Sequence, residues 1–331
     1  MRESWERQSA TLTVTQAQVA ALVEPAFPGQ TLTHYRLVQG GLSNTNIHVT
    51  LSQHSAPVLL RIYVRDPAQA RKEWALLSRL AGLVPVPHLH LTAFINTVLP
   101  YPYAIMDWIE GERLEVVLEQ KLAPKELQQM IRNIGQVLAR IHAMRFDQAG
   151  FLDETLQVVT PISIGREGLL SYLQAQLDGV GPARGRLGPA LADSVIAFAA
   201  KEGALLDSWA GPPVLVHGDF GGSNILIRQA GPGWQTAAVL DWEFAFSGSP
   251  FFDFGNLLRP PLGSRTDAGQ ALEDGYREAG GILPLEWRHM TQLVELISWV
   301  EFLSRPTCGP KLTADARAMM RRVMNDFAHQ R

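Results

Sequence analysis

The chain has 331 residues, of which 46% are hydrophobic and 18% charged, with a formal net charge of −3. The length predicts about two domains with a sizeable core, and the lack of a basic tract argues against nucleic acid as partner. The single cysteine, Cys308, excludes an internal disulfide and fits a reducing compartment. Residues 81–106 carry no Asp, Glu, Lys or Arg, but prolines divide them into short pieces. We therefore expect buried strands there, no membrane span, and a soluble, cytoplasmic protein.

The first third of the chain reads as a small sheet. The predicted elements are a helix over 15–26, strands over 31–38, 46–52 and 57–64, a helix from Asp66-Pro67 to about Leu80, and strands over 88–94 and 102–108. A loop rich in turn-forming residues, 40–45, joins the first two strands. These segments predict a five-stranded antiparallel sheet.

Beyond Gly111 the pattern is mainly helical. Apolar residues at helical spacing predict a helix over 127–144, and further helices are expected over 187–209, 267–279, 285–304 and 313–329. A glycine-rich break separates the first two of these at 179–188, and short strands are expected within 213–241. We predict an α+β fold with an N-terminal domain over 1–108 and a larger, mainly helical C-terminal domain over 109–331.

Three oxygen-bearing side chains stand at the ends of apolar segments in the second half. The strand Val214–Val216 leads into His217-Gly218-Asp219, Asn224 follows five residues after Asp219, and Asp241 ends the next apolar run. A carboxylate that orients a hydroxyl nucleophile, with an amide oxygen and a second carboxylate to hold Mg²⁺, is the set that phosphoryl transfer requires. We predict Asp219 as the catalytic residue, with Asn224 and Asp241 as the metal ligands.

His217 and Glu243 each have two interpretations. His217 is a catalytic-loop candidate, but a histidine beside a catalytic carboxylate more often braces the loop by hydrogen bonds than moves a proton. Glu243 either reaches the metal site or caps a turn. A lone His-Gly-Asp would be a simple turn; the spacing to Asn224 and the flanking apolar strands favour the functional interpretation.

These segments resemble the catalytic and metal loops of the aminoglycoside phosphotransferase and choline kinase family. Its pattern is His-Gly-Asp, four residues, Asn, and later an apolar residue before Asp-Trp/Phe-Glu. The resemblance covers about residues 35–260 and implies a bilobal protein-kinase-like fold. It also implies ATP or GTP and Mg²⁺ as cofactors, with Asp219 as the catalytic aspartate. Asp253 resembles an aspartate that braces the catalytic loop in this family.

The same resemblance assigns nucleotide contacts in the first third. Gly41, Ser43 and Asn44 lie where the family places its phosphate-covering loop, although a plain hairpin turn would explain that loop alone. Arg61 stands mid-strand and needs a partner, which Glu73 on the following helix can supply. In kinases this pair links the nucleotide phosphates to the helix. Most kinases have Lys in place of Arg61, so a structural ion pair stays the alternative.

Residues 104–111 resemble the linker between the two lobes of a kinase. By this resemblance the Asp107 carbonyl and the Ile109 N–H face the nucleotide base, and Met106 backs the pocket. His142, at the end of a long helix, matches a position where the family has a structural histidine.

The acceptor is expected to be a small molecule. Protein kinases have a longer activation segment that ends in Ala-Pro-Glu, whereas here the chain passes directly from Asp241 to Asp253. The candidate acceptors are an aminoglycoside-like antibiotic, choline or ethanolamine, a sugar and an amino-alcohol metabolite. The alternative function is a catalytically silent, pseudokinase-like nucleotide-binding regulator. The sequence does not predict the oligomeric state.

Overall fold

A five-stranded antiparallel sheet forms the first part of the molecule. The computed structural model describes residues 12–38, 44–64, 66–231, 233–265 and 267–329. The strands are β1 (Leu32–Leu37), β2 (Thr45–Leu51), β3 (Val58–Ile62), β4 (Leu89–Ala93) and β5 (Tyr103–Asp107), in the order β1-β2-β3-β5-β4. Helix α1 (Gln16–Val23) precedes the sheet, and α2 (Gln69–Leu80) lies between β3 and β4. The five-stranded sheet of the predicted α+β fold is thereby confirmed.

The two faces of this sheet belong to two different hydrophobic cores. Along β5, Ile105 belongs to the smaller core, which also contains residues of α1. Ala104 and Met106 belong to the larger core, which continues into the second half of the chain. Successive side chains of a strand point to opposite faces, so a strand covered on both sides is apolar throughout. This burial explains why β5 is apolar up to Met106, whereas β4 is only half-buried. Both strands form close to their predicted bounds.

The second part of the molecule is mainly helical. Its helices are α3 (Leu114–Glu119), α4 (Pro124–His142), α5 (Gly165–Leu177), α6 (Pro182–Leu187), α7 (Pro189–Glu202), α8 (Phe251–Leu257), α9 (Ala268–Glu278), α10 (Trp287–Ser304) and α11 (Pro310–His329). Its strands are β6 (Glu112–Arg113), β7 (Gly150–Leu152), β8 (Val158–Pro161), β9 (Val214–Val216), β10 (Ile225–Ala230), β11 (Gly233–Val239) and β12 (Phe246–Gly248). They form two small sheets, β11-β10-β6 and β8-β7-β12-β9.

Several predicted boundaries were wrong. Helix α2 begins at Gln69, because Asp66 and Pro67 form a preceding turn in which the Asp66 carboxylate accepts the Ala68 N–H. The helix predicted over 187–209 is shorter, since α7 ends at Glu202 and a 3₁₀ segment follows. The glycine-rich break contains α6, and α5 was not predicted. In the described part of the chain, no helix is both long and apolar enough to cross a membrane.

Helices α4 and α9 approach closely through glycines. A side chain at Gly275 would overlap the carbonyl oxygen of Arg132 on α4, and one at Gly135 would overlap that of Leu272 on α9. Only a residue without a Cβ fits at such a contact. This close packing fixes the position of α4. His142, the last residue of α4, therefore reaches the buried carboxylate of Asp253.

We predict that Gly275→Ala lowers the free energy of unfolding by about 1–3 kcal/mol, because the methyl group forces the two helices apart. Denaturant titration measures this. Gly185→Ala is the matched control, because it also places an alanine in a helix, and an added Cβ there meets no atom within 4 Å. The control variant should leave the free energy of unfolding unchanged or raise it by up to about 1 kcal/mol. Equal unfolding midpoints for both variants would refute the packing argument.

Candidate active site

A cavity of about 2200 Å³ lies between the five-stranded sheet and the segments that follow β9 and β11. Most of the predicted site residues line it: Asn44, Arg61, Glu73, Met106, Asp107, Ile109, Asp219, Asn224 and Asp241. His217 is fully buried behind the cavity wall. Gly41 and Ser43 lie outside the described residues. The structure thus brings together side chains from positions 44 to 241 of the chain.

The loop after β9 is held by a buried strand and a glycine. Val214–Val216 is buried throughout and pairs with β12, so the chain enters the loop from a fixed direction. Gly218 has a φ of +78°, and an added Cβ would lie 2.6 Å from the Phe244 carbonyl oxygen. Glycine is therefore needed here for both its backbone conformation and its small size. The next residue is Asp219, which lies at the cavity surface.

Asp219 and Asn224 contact each other directly. The Asn224 side-chain nitrogen donates to the Asp219 carboxylate at 2.8 Å and to its carbonyl oxygen at 2.9 Å. The Leu240 N–H donates to the Asn224 carbonyl at 2.8 Å, which ties this loop to the segment carrying Asp241. Because the amide nitrogen is bound to Asp219, the amide oxygen of Asn224 is the atom suited to a cation.

Both ring nitrogens of His217 bond to backbone groups. Nε2 donates to the Leu240 carbonyl at 2.8 Å, and Nδ1 accepts the Asp219 N–H at 3.2 Å. An imidazole that donates through one nitrogen and accepts through the other is the neutral form. This geometry favours the bracing role for His217 over proton transfer.

Asp253 on α8 connects the loop after β9 to helices α4 and α9. Its carboxylate accepts the His217 N–H at 2.8 Å and the Gly218 N–H at 3.0 Å. His142 contacts the same carboxylate through Nε2 at 3.2 Å, and its Nδ1 lies 3.0 Å from the Tyr276 hydroxyl. Burial raises the pKa of Tyr276, so the phenol stays protonated and donates. These contacts give Asp253 and His142 the structural roles that the sequence predicts.

Arg61 is a buried cation between two carboxylates. Its Nε lies 3.3 Å from Glu73 on α2, and its Nη1 hydrogen-bonds to Asp241. The side chains of Arg61 and Glu73 are 6% and 2% exposed, whereas that of Asp241 is 41% exposed and faces the cavity. Asp241 adopts the left-handed conformation, with φ 61° and ψ 66°. A non-glycine residue in this region is strained and marks a functional position more often than a chance one.

The charges of this cluster shift one another's pKa values. Burial raises the pKa of Glu73, and the nearby carboxylates of Asp241 and Glu243 add to that rise. Burial also opposes ionisation of Asp241, but the charge and hydrogen bond of Arg61 outweigh it and lower the pKa. Asp241 therefore stays a carboxylate at neutral pH. A carboxylate and an amide oxygen are hard donors, so Asp241 and Asn224 fit Mg²⁺.

The residues near the predicted nucleotide base come from the end of β5. Met106 is 3% exposed and forms the floor of the cavity. The Asp107 N–H donates to the His88 carbonyl at 3.0 Å, and its carboxylate lies 2.8 Å from His90 Nε2. The Asp107 side chain and N–H are thus bound to residues 88 and 90, which leaves the Asp107 carbonyl as the group that the sequence assigns to a base.

Comparison with protein-family models identifies the chain. The model described as "Phosphotransferase enzyme family" matches residues 34–291, most of the chain. The chain belongs to the phosphotransferase enzyme family. No curated protein sequence matches this phosphotransferase.

Solved structures of aminoglycoside phosphotransferases share the fold of this phosphotransferase. APH(2″)-IIIa, in complex with GDP and kanamycin, is 16% identical with a TM-score of 0.67, covering 93% of this chain and 98% of its own. A putative aminoglycoside phosphotransferase from Ralstonia eutropha JMP134 is 17% identical with a TM-score of 0.65, covering 94% and 97%. A thermostable mutant of APH(4)-Ia, with ADP and hygromycin B, is 17% identical with a TM-score of 0.62, covering 93% and 98%. The protein-kinase-like resemblance in the sequence is confirmed at the level of fold.

Two contacts of the phosphotransferase site were not predicted. The Asn44 side chain donates to Glu243 at 3.3 Å, which joins the start of β2 to the metal loop. Lys72, buried beside Glu73, donates to the Ala245 carbonyl at 3.1 Å. Lysine on a helix is usually solvated, so nothing in the sequence indicates that Lys72 is buried. The two contacts hold residues 243–245 against the start of β2 and against α2.

We predict that Asp253→Asn lowers the free energy of unfolding by about 1–3 kcal/mol, because an amide cannot accept from His217 N–H, Gly218 N–H and His142 together. Thermal and denaturant unfolding measure the loss. Asp193→Asn is the control, since Asp193 is 63% exposed and bonds only to Arg184 among the contacts found. The control should change stability by less than about 0.5 kcal/mol. An Asp253 variant as stable as this control would contradict the bracing role.

Proposed function

We propose that this phosphotransferase transfers the γ-phosphoryl group of ATP or GTP to a hydroxyl group of a small molecule. The observation that carries the proposal is the contact between Asp219 and Asn224 at the cavity that Arg61 and Asp241 also line. Four groups of the type that phosphoryl transfer needs thus share one space, although they are separated along the chain.

The nucleotide is proposed to bind against the five-stranded sheet. Arg61, held by Glu73, would contact the phosphates, and the Asp107 carbonyl and Ile109 N–H would bind the base above Met106. A guanidinium binds phosphate oxygens bidentately, and its burial fixes the direction of its N–H groups. Residues 1–108 would then form a nucleotide-binding lobe and 109–331 a catalytic lobe. The phosphate-loop roles of Gly41, Ser43 and Asn44 remain proposals from the sequence.

Asn224 and Asp241 are the proposed Mg²⁺ ligands. Their oxygens line the cavity, and Asp241 is kept ionised by Arg61. When bound, Mg²⁺ would neutralise charge on the nucleotide phosphates. The hydrogen bond between Asn224 and Asp219 sets the proposed ligand and the proposed catalytic carboxylate side by side.

The chemical step would be a direct displacement. The acceptor oxygen forms a bond to the γ-phosphorus, the bond to the bridging oxygen breaks, and the nucleoside diphosphate leaves. Asp219 orients the acceptor hydroxyl and accepts its proton. His217 acts as a positioning residue, because its neutral ring holds the Asp219 N–H and the Leu240 carbonyl.

Two observations support a small acceptor. Asp241 is followed at once by a 3₁₀ turn, β12 and α8, which carries Asp253. This connection leaves no long segment on which a peptide would lie. The relatives with kanamycin and hygromycin B bound bind small acceptors on the same fold.

We predict that Asp219→Asn lowers kcat by about 10²–10⁴-fold, because the amide no longer accepts the hydroxyl proton. The affinity for nucleotide should stay unchanged, since the amide keeps an oxygen for Asn224. A coupled assay for the nucleoside diphosphate and a nucleotide titration measure the two quantities separately. Equal losses of transfer and nucleotide affinity would contradict the role of Asp219.

We predict that Asp241→Asn weakens nucleotide binding in the presence of Mg²⁺ by at least about tenfold, because a charged ligand is lost. Binding measured with excess EDTA should stay the same, because the amide oxygen still accepts from Arg61. Mg²⁺ titration of nucleotide affinity provides the test. Unaltered metal dependence would show that Asp241 is no ligand.

A catalytically silent, nucleotide-binding regulator is the alternative, and the same assays distinguish it from an active enzyme. Such a protein binds nucleotide but forms no nucleoside diphosphate above background with any hydroxyl acceptor. In that case the wild type and Asp219→Asn would give the same rate.

A further inference from the structure

The part of the cavity beyond Asp219 exposes large apolar side chains. Phe151, Ile164 and Phe244 are 54%, 37% and 42% exposed, and all three line the cavity. They come from β7, the start of α5 and the turn before β12, so three separate segments direct apolar surface into one space. Contiguous exposed apolar surface usually marks a binding site.

Four phenylalanines form what we call the aromatic wall: Phe151, Phe244, Phe246 and Phe252. The ring centroids of Phe151 and Phe246 are 6.1 Å apart, and those of Phe246 and Phe252 are 5.2 Å apart. Phe244 packs against Gly218, the residue before Asp219. One member of the aromatic wall therefore lies beside the loop that carries the proposed catalytic carboxylate, and all four members line the same cavity.

Carboxylates outnumber cations among the described residues that line the cavity, by eight to four. The carboxylates are Glu73, Asp107, Glu115, Asp207, Asp219, Asp241, Glu243 and Glu301, and the cations are Arg61, Arg113, Arg305 and Lys311. Glu301 pairs with Arg305 at 2.8 Å, and the Asp207 carboxylate accepts the Arg166 N–H at the start of α5. The lining therefore tolerates a cationic group on the acceptor, and the exposed phenylalanines are the feature that requires an apolar surface on it.

The cavity is also large. Sites for small ligands usually measure about 300–1,000 Å³, whereas this cavity is about 2200 Å³. Size and aromatic lining therefore both fit a bulky acceptor with an apolar surface.

We infer that the acceptor is a bulky hydroxyl compound with a large apolar surface that packs on the aromatic wall. This inference rests on the proposed phosphoryl transfer and names its acceptor class. Apolar contact supplies the affinity, and the acceptor hydroxyl lies at the Phe244 end of the wall, next to Asp219.

The test compares two sets of acceptors in the assay for nucleoside diphosphate, with ATP or GTP and Mg²⁺. Kanamycin and hygromycin B represent polycations; 2-naphthyl β-glucoside and 4-nitrophenyl β-glucoside represent uncharged alcohols with an aromatic surface. KM is measured at 50 and 500 mM salt. We expect transfer to at least one apolar alcohol, with a KM that does not rise with salt. A polycation would instead show a KM that rises steeply, because salt screens its attraction.

Phe151→Ala tests the wall itself. We expect it to raise KM for the apolar acceptor by about three- to tenfold and to leave the nucleotide KM unchanged. Val159→Ala is the matched control, because Val159 is 59% exposed on the neighbouring strand β8 and does not line the cavity. Phe151→Leu, which keeps an apolar side chain, should fall between the wild type and Phe151→Ala.

Three outcomes overturn the inference. The first is efficient transfer to a polycation with a salt-sensitive KM and no effect of Phe151→Ala; phosphoryl transfer would then still stand. The second is that neither apolar alcohol is a substrate and neither binds at millimolar concentration. The third is that no acceptor raises diphosphate formation above the Asp219→Asn background, in which case the proposed function fails as well.

Discussion

The buried guanidinium of Arg61 is the interaction on which the site depends. It lies between Glu73 on α2 and Asp241 after β11, and so connects the five-stranded sheet to the second half of the chain. Removing one partner of such a buried ion pair leaves an uncompensated charge, which commonly costs about 3–5 kcal/mol. Arg61 also keeps Asp241 ionised in the cleft. One cation thus sets both the distance between the two halves and the charge that faces the cavity.

The opposite side of the site is held by hydrogen bonds that share one buried carboxylate, that of Asp253. Asp253 binds two successive backbone N–H groups of the catalytic loop, and His142 contacts it from α4. The bonds fix the loop backbone without using the Asp219 carboxylate. The rigid parts of the site therefore lie behind the cavity wall, and the side chains at its surface stay available for ligands.

Much of the site was predictable because its short motifs follow directly after buried strands. The Val-Leu-Val run before His217 and the apolar run before Asp241 identify the strand ends, and the spacing to Asn224 identifies the chemistry. The missed elements have physical reasons. Strands β7, β8 and β12 are three or four residues long, too short for a period of two to show. Helix α5 begins at a glycine without a side-chain cap, although Leu169, Leu173 and Leu177 lie four residues apart.

Two of the contacts between distant residues could not be predicted from the sequence. Nothing in the neighbourhood of Lys72 or Asn44 indicates contacts with Ala245 or Glu243, because such contacts arise only when the sheet packs on the metal loop. The same holds for the aromatic wall, whose members come from three segments with no shared periodicity.

The close contact between Gly218 and Phe244 restricts how this enzyme can diversify. The backbone of the catalytic loop and the first phenylalanine of the wall touch without a gap. Changes of shape at either position would therefore disturb the reacting centre itself. Residues on α5, α10 and α11 also border the cavity but lie apart from that contact. Evolution toward new acceptors is thus channelled into those helices and into the outer phenylalanines of the wall, while Gly218 and the backbone of Phe244 stay fixed.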